Sequence, residues 1–132
     1  MAPVGRREAR ERAFSLLYEA DTKSISPGSL LEELPVRPDA FTTALVEGVG
    51  AHLERIDALI AHHSIGWAVE RMPAIDRALL RMATFELLER EDVPMAVAIS
   101  EAVDLATEYS TDESGRFVNG VLSAIAGEVR QQ

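Results

Sequence analysis

Residues 73–90 read PAIDRALLRMATFELLER, and this stretch decides the fold. Pro73 suits the first turn of a helix, because the N–H that proline lacks would be unpaired there in any case. Ile75, Leu79 and Met82 follow at spacings of four and three residues, which places them on one face of a helix. The stretch therefore predicts a long amphipathic helix whose apolar stripe faces a core.

A glutamate lies on this apolar stripe. Glu86 follows Met82 by four residues and so shares its face of the helix. An isolated buried charge is costly, so a carboxylate there has to be paired, hydrogen-bonded or protonated. Because no second carboxylate or base shares that face at a useful spacing, we predict a structural anchor rather than a catalytic acid.

Apolar residues at three- and four-residue spacing predict helices on both sides of this stretch. The exception is residues 23–38, whose three prolines predict a loop or short turns. Gly48 and Gly50 indicate a break within the helical segment 39–63. The remaining predicted helices span residues 6–20, 94–109 and a last segment that follows the capping-box spacing of Ser110 and Glu113.

The sequence contains no period-two run long enough for a strand, so we predict an all-α fold of about seven helices. With 132 residues and 47% apolar content, the chain is expected to form one domain, 1–132. We expect one small bundle in residues 1–66 and a second in residues 67–132.

Composition excludes several classes of protein. The chain has no cysteine, which rules out a disulfide framework and a Cys-ligated zinc or iron–sulfur site. It shows no signal-peptide run and no apolar stretch of 18 residues, so we expect no membrane association and a cytoplasmic location.

Charge is distributed unevenly along the chain. The formal net charge is -9, but residues 1–12 hold four arginines and two glutamates, a net of +2 that leaves -11 for the rest. This asymmetry is typical of a basic nucleic-acid-binding arm on an acidic body. The acidic body suits a basic protein partner or serves solubility alone.

The first predicted helix carries arginines and aromatic residues along one flank. Arg7, Arg10, Phe14 and Tyr18 fall within about 80° of each other on a helical wheel. Guanidinium groups suit phosphate oxygens, and aromatic rings stack on unpaired bases, so the flank is suited to single-stranded RNA. The alternative is a solvated helix start in which Arg10 or Arg12 pairs with nearby carboxylates.

Four motifs in order and at the right spacing resemble the NusB family. They are R-R-x-A-R-x-x-A with a downstream L-L-Y in residues 6–18, IDRALLR with FEL in residues 75–87, DVP with AISEAVDLA in residues 92–106, and FVNGVL in residues 117–122. Together they extend over nearly the whole chain.

The resemblance implies two perpendicular helical subdomains and a non-enzymatic antitermination factor without a cofactor. Such a factor pairs with NusE, a ribosomal small-subunit protein, and binds the boxA element of single-stranded RNA. The pair joins an RNA polymerase complex that suppresses premature termination, notably in ribosomal RNA operons. The RNA-binding residues implied are Arg6, Arg7, Arg10, Glu113 and Phe117. The partner-binding residues implied are Tyr18 and Asp76.

Helical-wheel positions add expectations for two of these residues, and a neighbouring glycine adds a third. Asp76 lies about 100° off the stripe of its helix, which predicts a place at or near the surface. Phe117 lies about 80° off the stripe of the last helix, at the edge of the core. Gly120 predicts close approach of another helix or of RNA, because glycine inside a helix costs roughly 1 kcal/mol relative to alanine.

Two other functions stay open at this point. One is a homodimeric protein-interaction module, and the other is the RNA-binding domain of a ribosomal RNA methyltransferase, disfavoured because no Gly-rich cofactor segment is present. His52, His62 and His63 are the only candidate metal ligands of their type. We predict no metal site, because adjacent histidines point to different helix faces.

Overall fold

The computed structural model describes residues 4–130. Within that range it contains helices, a short 3₁₀ turn at Val69–Arg71 and no strand, so the prediction of an all-α fold of about seven helices is confirmed. The helices are α1 (Arg6–Thr22), α2 (Pro27–Glu33), α3 (Ala40–Ala51), α4 (Leu53–His63), α5 (Ala74–Glu89), α6 (Met95–Tyr109) and α7 (Asp112–Val129).

The helix of the deciding stretch, α5, lies at the centre of the fold. It packs against α1, α3, α4, α6 and α7. Ten of its residues are buried, including Leu79, Met82 and Glu86. One cluster of buried apolar side chains runs through residues of both halves of the chain. The division near residue 66 and the perpendicular arrangement of two bundles stay predictions.

The segment between α1 and α3 is more ordered than its prolines predicted. Pro27 occupies the start of α2, where its missing N–H costs nothing, and the Ser26 hydroxyl accepts a hydrogen bond from the Ser29 N–H at 3.1 Å. The prediction of a loop or turns is therefore wrong for residues 27–33, which bury Leu30 and Leu31 against the core.

The sequence suggested a break at Gly48 and Gly50, but neither glycine interrupts its helix. Helix α3 runs through both to Ala51, and the break comes at His52. A Cβ atom at Gly48 would lie 2.1 Å from the ring of Phe85. Gly48 therefore serves the close packing of α3 on α5 rather than a bend.

No helix in the described residues is both long enough and apolar enough to cross a membrane.

Candidate nucleic-acid and partner interface

Arg6 and Arg7 lie in the first turn of α1 and keep half of their side chains exposed. The Arg6 guanidinium lies 4.3 Å above the ring of Phe41 and donates to Asp92 at 3.2 Å. The Arg6 guanidinium is therefore held over an aromatic ring by a cation–π contact while half of the side chain stays exposed.

Arg7 is held by two carboxylates of α6. Its Nη2 lies 2.8 Å from Asp104 Oδ2 and 2.8 Å from Glu101 Oε2. The hydrogen bond with Asp104 is the main reason that the pKa of Arg7 is raised above its usual value. Both predicted RNA-binding residues are thus at the surface, and both are paired with acidic groups.

Arg10 is buried, with only 2% of its surface exposed. Its Nε and Nη2 donate to both carboxylate oxygens of Glu86 at 2.8 to 3.2 Å, and its Nη1 lies 3.5 Å from Glu101. The prediction of a paired anchor at Glu86 is confirmed. Arg10 and Phe14 face the interior, so they do not extend an exposed flank beyond Arg7. The RNA-binding role that the family resemblance implies for Arg10 stays a prediction.

Arginines at the basic end of the sequence form a neutral patch with carboxylates from other parts of the fold, in which Arg6, Arg7, Arg10 and Arg90 face Glu86, Asp92, Glu101 and Asp104. Four arginines meet there, since Arg90 joins Arg6 at Asp92 and lies 5.0 Å from the ring of Phe41. Four carboxylates, supplied by α5, α6 and the connection between them, pair with these guanidinium groups. Of the alternative weighed from the sequence, the pairing of Arg10 with a carboxylate is confirmed, but the pair is buried rather than solvated.

Tyr18 is 39% exposed and lines an open groove of about 850 Å³ beside α1. The groove is largely apolar, because Val36, Ile75 and Tyr109 also line it. The Tyr109 hydroxyl donates a hydrogen bond to Glu11, which raises the pKa of that tyrosine. The ring of Tyr109 is exposed at the surface and lies 5.4 Å from that of Phe14.

Asp76 is buried, with 4% of its surface exposed, so the prediction of a surface position is wrong. Helix α5 packs on α7, whose first turn brings the Ser114 side chain near the Asp76 carboxyl. Its Oδ1 has no hydrogen-bond partner within the described residues. Burial raises the pKa of Asp76, although the Ser114 hydrogen bond opposes this effect.

Phe117 is half-buried at the edge of the core, where the sequence placed it. Its ring lies 6.1 Å from that of Trp67, which is 50% exposed and was not singled out from the sequence. Glu113 is exposed in the first turn of α7. A Cβ at Gly120 would meet nothing within 4 Å, so the expectation of close helix packing there is wrong, and its openness to an RNA stays a prediction.

His62 and His63 face each other edge-on, with ring centroids 4.8 Å apart, contrary to the expectation that they point apart. Together with Glu128 they could offer three metal ligands within 4.8 Å of one another. One zinc ion holds nitrogens at about 2.0 to 2.1 Å, so its ligands are at most about 4.2 Å apart, and such a set would have to close first. A hydrogen bond of 2.8 Å between His63 and Glu128 explains why these two side chains lie together without a metal. The absence of a metal site stays a prediction.

Comparison with known sequences gives one family. A model of the NusB family matches residues 7–127. The chain is 48% identical over 127 residues to the transcription antitermination protein NusB of Kineococcus radiotolerans, with 93% of each protein covered. It is 52% identical over 128 residues to that of Saccharopolyspora erythraea, covering 92% of this chain and 86% of that protein.

Solved structures show the same fold. T. maritima NusB superimposes with a TM-score of 0.86 at 34% identity, covering 96% of this chain and 94% of that one. A chain from a crystal structure of the antitermination factors NusB and NusE in complex with dsRNA gives a TM-score of 0.80 at 32% identity, with 93% and 96% covered.

Proposed function

The chain belongs to the NusB family, and from this we propose that it is an RNA-binding transcription antitermination factor that pairs with NusE and binds boxA RNA. It acts in the cytoplasm by binding rather than by catalysis. Its pair with NusE joins RNA polymerase and suppresses premature termination, notably in ribosomal RNA operons.

One observation carries the proposed RNA contact. Arg6 and Arg7 are half-exposed side by side in the first turn of α1, and Arg6 is braced on the ring of Phe41. Two rigidly held guanidinium groups at one edge are suited to consecutive phosphates of a single strand. Arg10 supports them from below, because it shares Glu101 with Arg7.

Aromatic side chains supply a second element of the proposed RNA contact. Phe117 and Trp67 offer two tilted rings at the start of α7, and Gly120 leaves open space on the same helix. Unpaired bases stack on such rings without regard to sequence. Glu113, exposed in the turn before Phe117, is placed to contact base or sugar donors.

The groove around Tyr18 is the proposed docking site for NusE. It is largely apolar, and its charged lining residues are Glu8, Glu11 and Asp39 on the acidic side and Arg12 and Arg37 on the basic side. An apolar groove with a small excess of acidic charge suits a basic protein, as a ribosomal protein that binds RNA is. Asp76 contributes through the position of α5, since its own carboxyl is buried.

The same groove favours a second candidate function, a homodimeric interaction module. Four of the exposed large apolar side chains, Val4, Tyr18, Val36 and Tyr109, line it. A second copy of the chain could cover this surface. Light scattering of the isolated protein over a range of concentrations distinguishes the two, because a homodimer through the groove would have to dissociate before NusE bound.

Titration of labelled RNA with the chain, with NusE and with their mixture tests the proposed function. We expect the mixture to bind a single-stranded boxA RNA more tightly than either protein alone, and more tightly than a scrambled strand. A duplex of the same sequence is included because the compared complex holds dsRNA. Equal binding of boxA and scrambled RNA, or no contribution from NusE, would contradict the proposal.

A further inference from the structure

Two exposed aspartates occupy the guanidinium groups that the proposed function assigns to RNA. Asp104 is 55% exposed and accepts from Arg7 at 2.8 Å. Asp92 is 50% exposed and its Oδ2 accepts from both Arg6, at 3.2 Å, and Arg90, at 3.0 Å. These contacts join α1 to α6 and to the connection that precedes it.

A carboxylate and a phosphate compete for the same donors. Both present anionic oxygens to the guanidinium edge, and an arginine that forms a charge-assisted hydrogen bond with one has fewer donors free for the other. A phosphate that approaches Arg7 also meets the negative charge of Asp104 at close range. RNA therefore has to displace these aspartates or accept their repulsion.

We propose that Asp92 and Asp104 are affinity-limiting residues that hold Arg6 and Arg7 in the RNA-free protein and are displaced by phosphates of the bound strand. This inference rests on the proposed RNA function. Asp92 and Asp104 would then lower RNA affinity by pairing with the RNA-binding arginines, in addition to their contribution to the net charge of the chain.

The other two carboxylates of this neutral patch have a different role. Glu86 is buried with Arg10, and only 16% of the Glu101 side chain is exposed. They hold the base of the patch together and are out of reach of a strand at the surface. Asp92 stays ionised through the physiological range, because its hydrogen bond to Arg90 lowers its pKa to about 2.

Isosteric amide variants test this inference. Asp92→Asn, Asp104→Asn and the double variant are titrated with single-stranded boxA RNA, with NusE present and absent. Glu32→Gln is the matched control, since it removes one negative charge from an exposed position on α2, outside the neutral patch. Thermal melts confirm that each variant is folded.

We expect each aspartate variant to bind RNA about two- to fivefold more tightly, the factor that release of one exposed ion pair implies. The double variant should combine both effects, and the salt dependence should steepen by roughly 0.7 in slope for each additional phosphate that the strand pairs with an arginine. Glu32→Gln should leave the Kd unchanged, because a distant charge is screened.

Three outcomes would overturn the inference. Unchanged or weaker binding by the aspartate variants would mean that Asp92 and Asp104 position the arginines for RNA rather than compete with it. An equal increase in RNA affinity for Glu32→Gln would show that the net charge of the protein, and not the ion pairs of Asp92 and Asp104, limits RNA binding. If neither the wild type nor the double variant binds boxA RNA in the presence of NusE, both the inference and the proposed function fail. Binding by the double variant but not by the wild type would instead support the inference.

Discussion

Arg7 and Arg10 are three residues apart on one helix, yet they serve different purposes. Arg7 meets its carboxylates at the surface, where an ion pair contributes about 0 to 1 kcal/mol. Arg10 meets Glu86 inside the protein, through three hydrogen bonds and with both side chains almost fully buried. Removing one partner of a buried pair leaves an uncompensated charge, which is far more costly than the pair itself is stabilising.

Arg10→Ala should therefore lower the free energy of unfolding by about 3 to 5 kcal/mol, because Glu86 would be left buried and unpaired. Arg7→Ala, the matched control on the same face, should change it by about 1 kcal/mol or less and should weaken RNA binding instead. Urea denaturation and RNA titration of both variants measure the difference. If the Arg10→Ala protein were as stable as the wild type but bound RNA more weakly, Arg10 would contact RNA rather than stabilise the fold.

Asp76 should make stability depend on pH. Burial raises its pKa above the ordinary value of 3.8, so ionisation is harder in the folded protein than in the unfolded chain. Below about pH 3.9 the carboxyl is protonated in both the folded and the unfolded state and does not lower the free energy of unfolding. As the pH rises through the raised pKa, the free energy of unfolding falls.

Compared with Asp76→Asn, the wild type should therefore lose stability as the pH rises above about 4 and through the raised pKa of Asp76. Denaturation curves of both proteins across this range give the difference in unfolding free energy. Parallel pH profiles would show that the Asp76 carboxyl ionises as easily in the folded protein as in the unfolded chain.

The helices themselves could be predicted from the sequence because each carries its own apolar period, and α5, α6 and α7 begin close to where Pro73, Pro94 and the capping box of Ser110 and Glu113 indicated. The residue that caps α7 is Thr111, one position after Ser110. The short helix α2 could not, since seven residues are too few for a period to show. Asp76 was misplaced for a related reason. A wheel describes one helix alone and does not reveal that α5 is covered by five others.

The start of α7 brings together two rings that lie far apart in the sequence. Phe117 was predicted at the core edge from its own helix, but Trp67 belongs to the connection between α4 and α5, where no periodicity exists. Only the fold places them 6.1 Å apart.

Phe117→Ala and Trp67→Ala should each weaken RNA binding by about 1 to 3 kcal/mol if bases stack on these rings. The stability loss for Phe117→Ala should stay below the about 3 to 5 kcal/mol of a fully buried phenylalanine, because the ring is only half-buried. Ile65→Ala in the same connection is the control, being exposed but outside the ring pair. Unchanged RNA affinity together with a large fall in melting temperature would make Phe117 a core residue only.

For the whole molecule, family and overall charge could be predicted from the sequence, but the effect of folding on the charge distribution could not. Arginines of residues 1–12 are paired with acidic residues as distant in sequence as Asp104. A neutral patch on a chain of net charge -9 attracts a polyanion poorly. We therefore expect much of the cationic charge for RNA to come from the proposed basic partner, so that pairing strengthens RNA binding.

Tyr18 is the residue through which this dependence can be tested. It lies at the surface of the apolar groove, and tyrosines at the centre of an interface often carry much of the binding energy. Tyr18→Ala should weaken pairing with NusE by about 2 kcal/mol, roughly a 30-fold rise in Kd, and leave the fold intact. Calorimetry measures the pairing, and Trp67→Ala, which removes an exposed aromatic ring outside the groove, is the control.

The RNA affinity of the Tyr18→Ala chain separates loss of pairing from loss of the RNA contact itself. Tyr18 lies about three helical turns along α1 from Arg7, so the isolated variant should bind RNA as the wild type does. The mixture with NusE should bind RNA more weakly, because fewer pairs form. Pairing at the wild-type Kd would place the partner elsewhere, and a variant that changes from dimer to monomer in light scattering would instead assign the groove to a second copy of the chain.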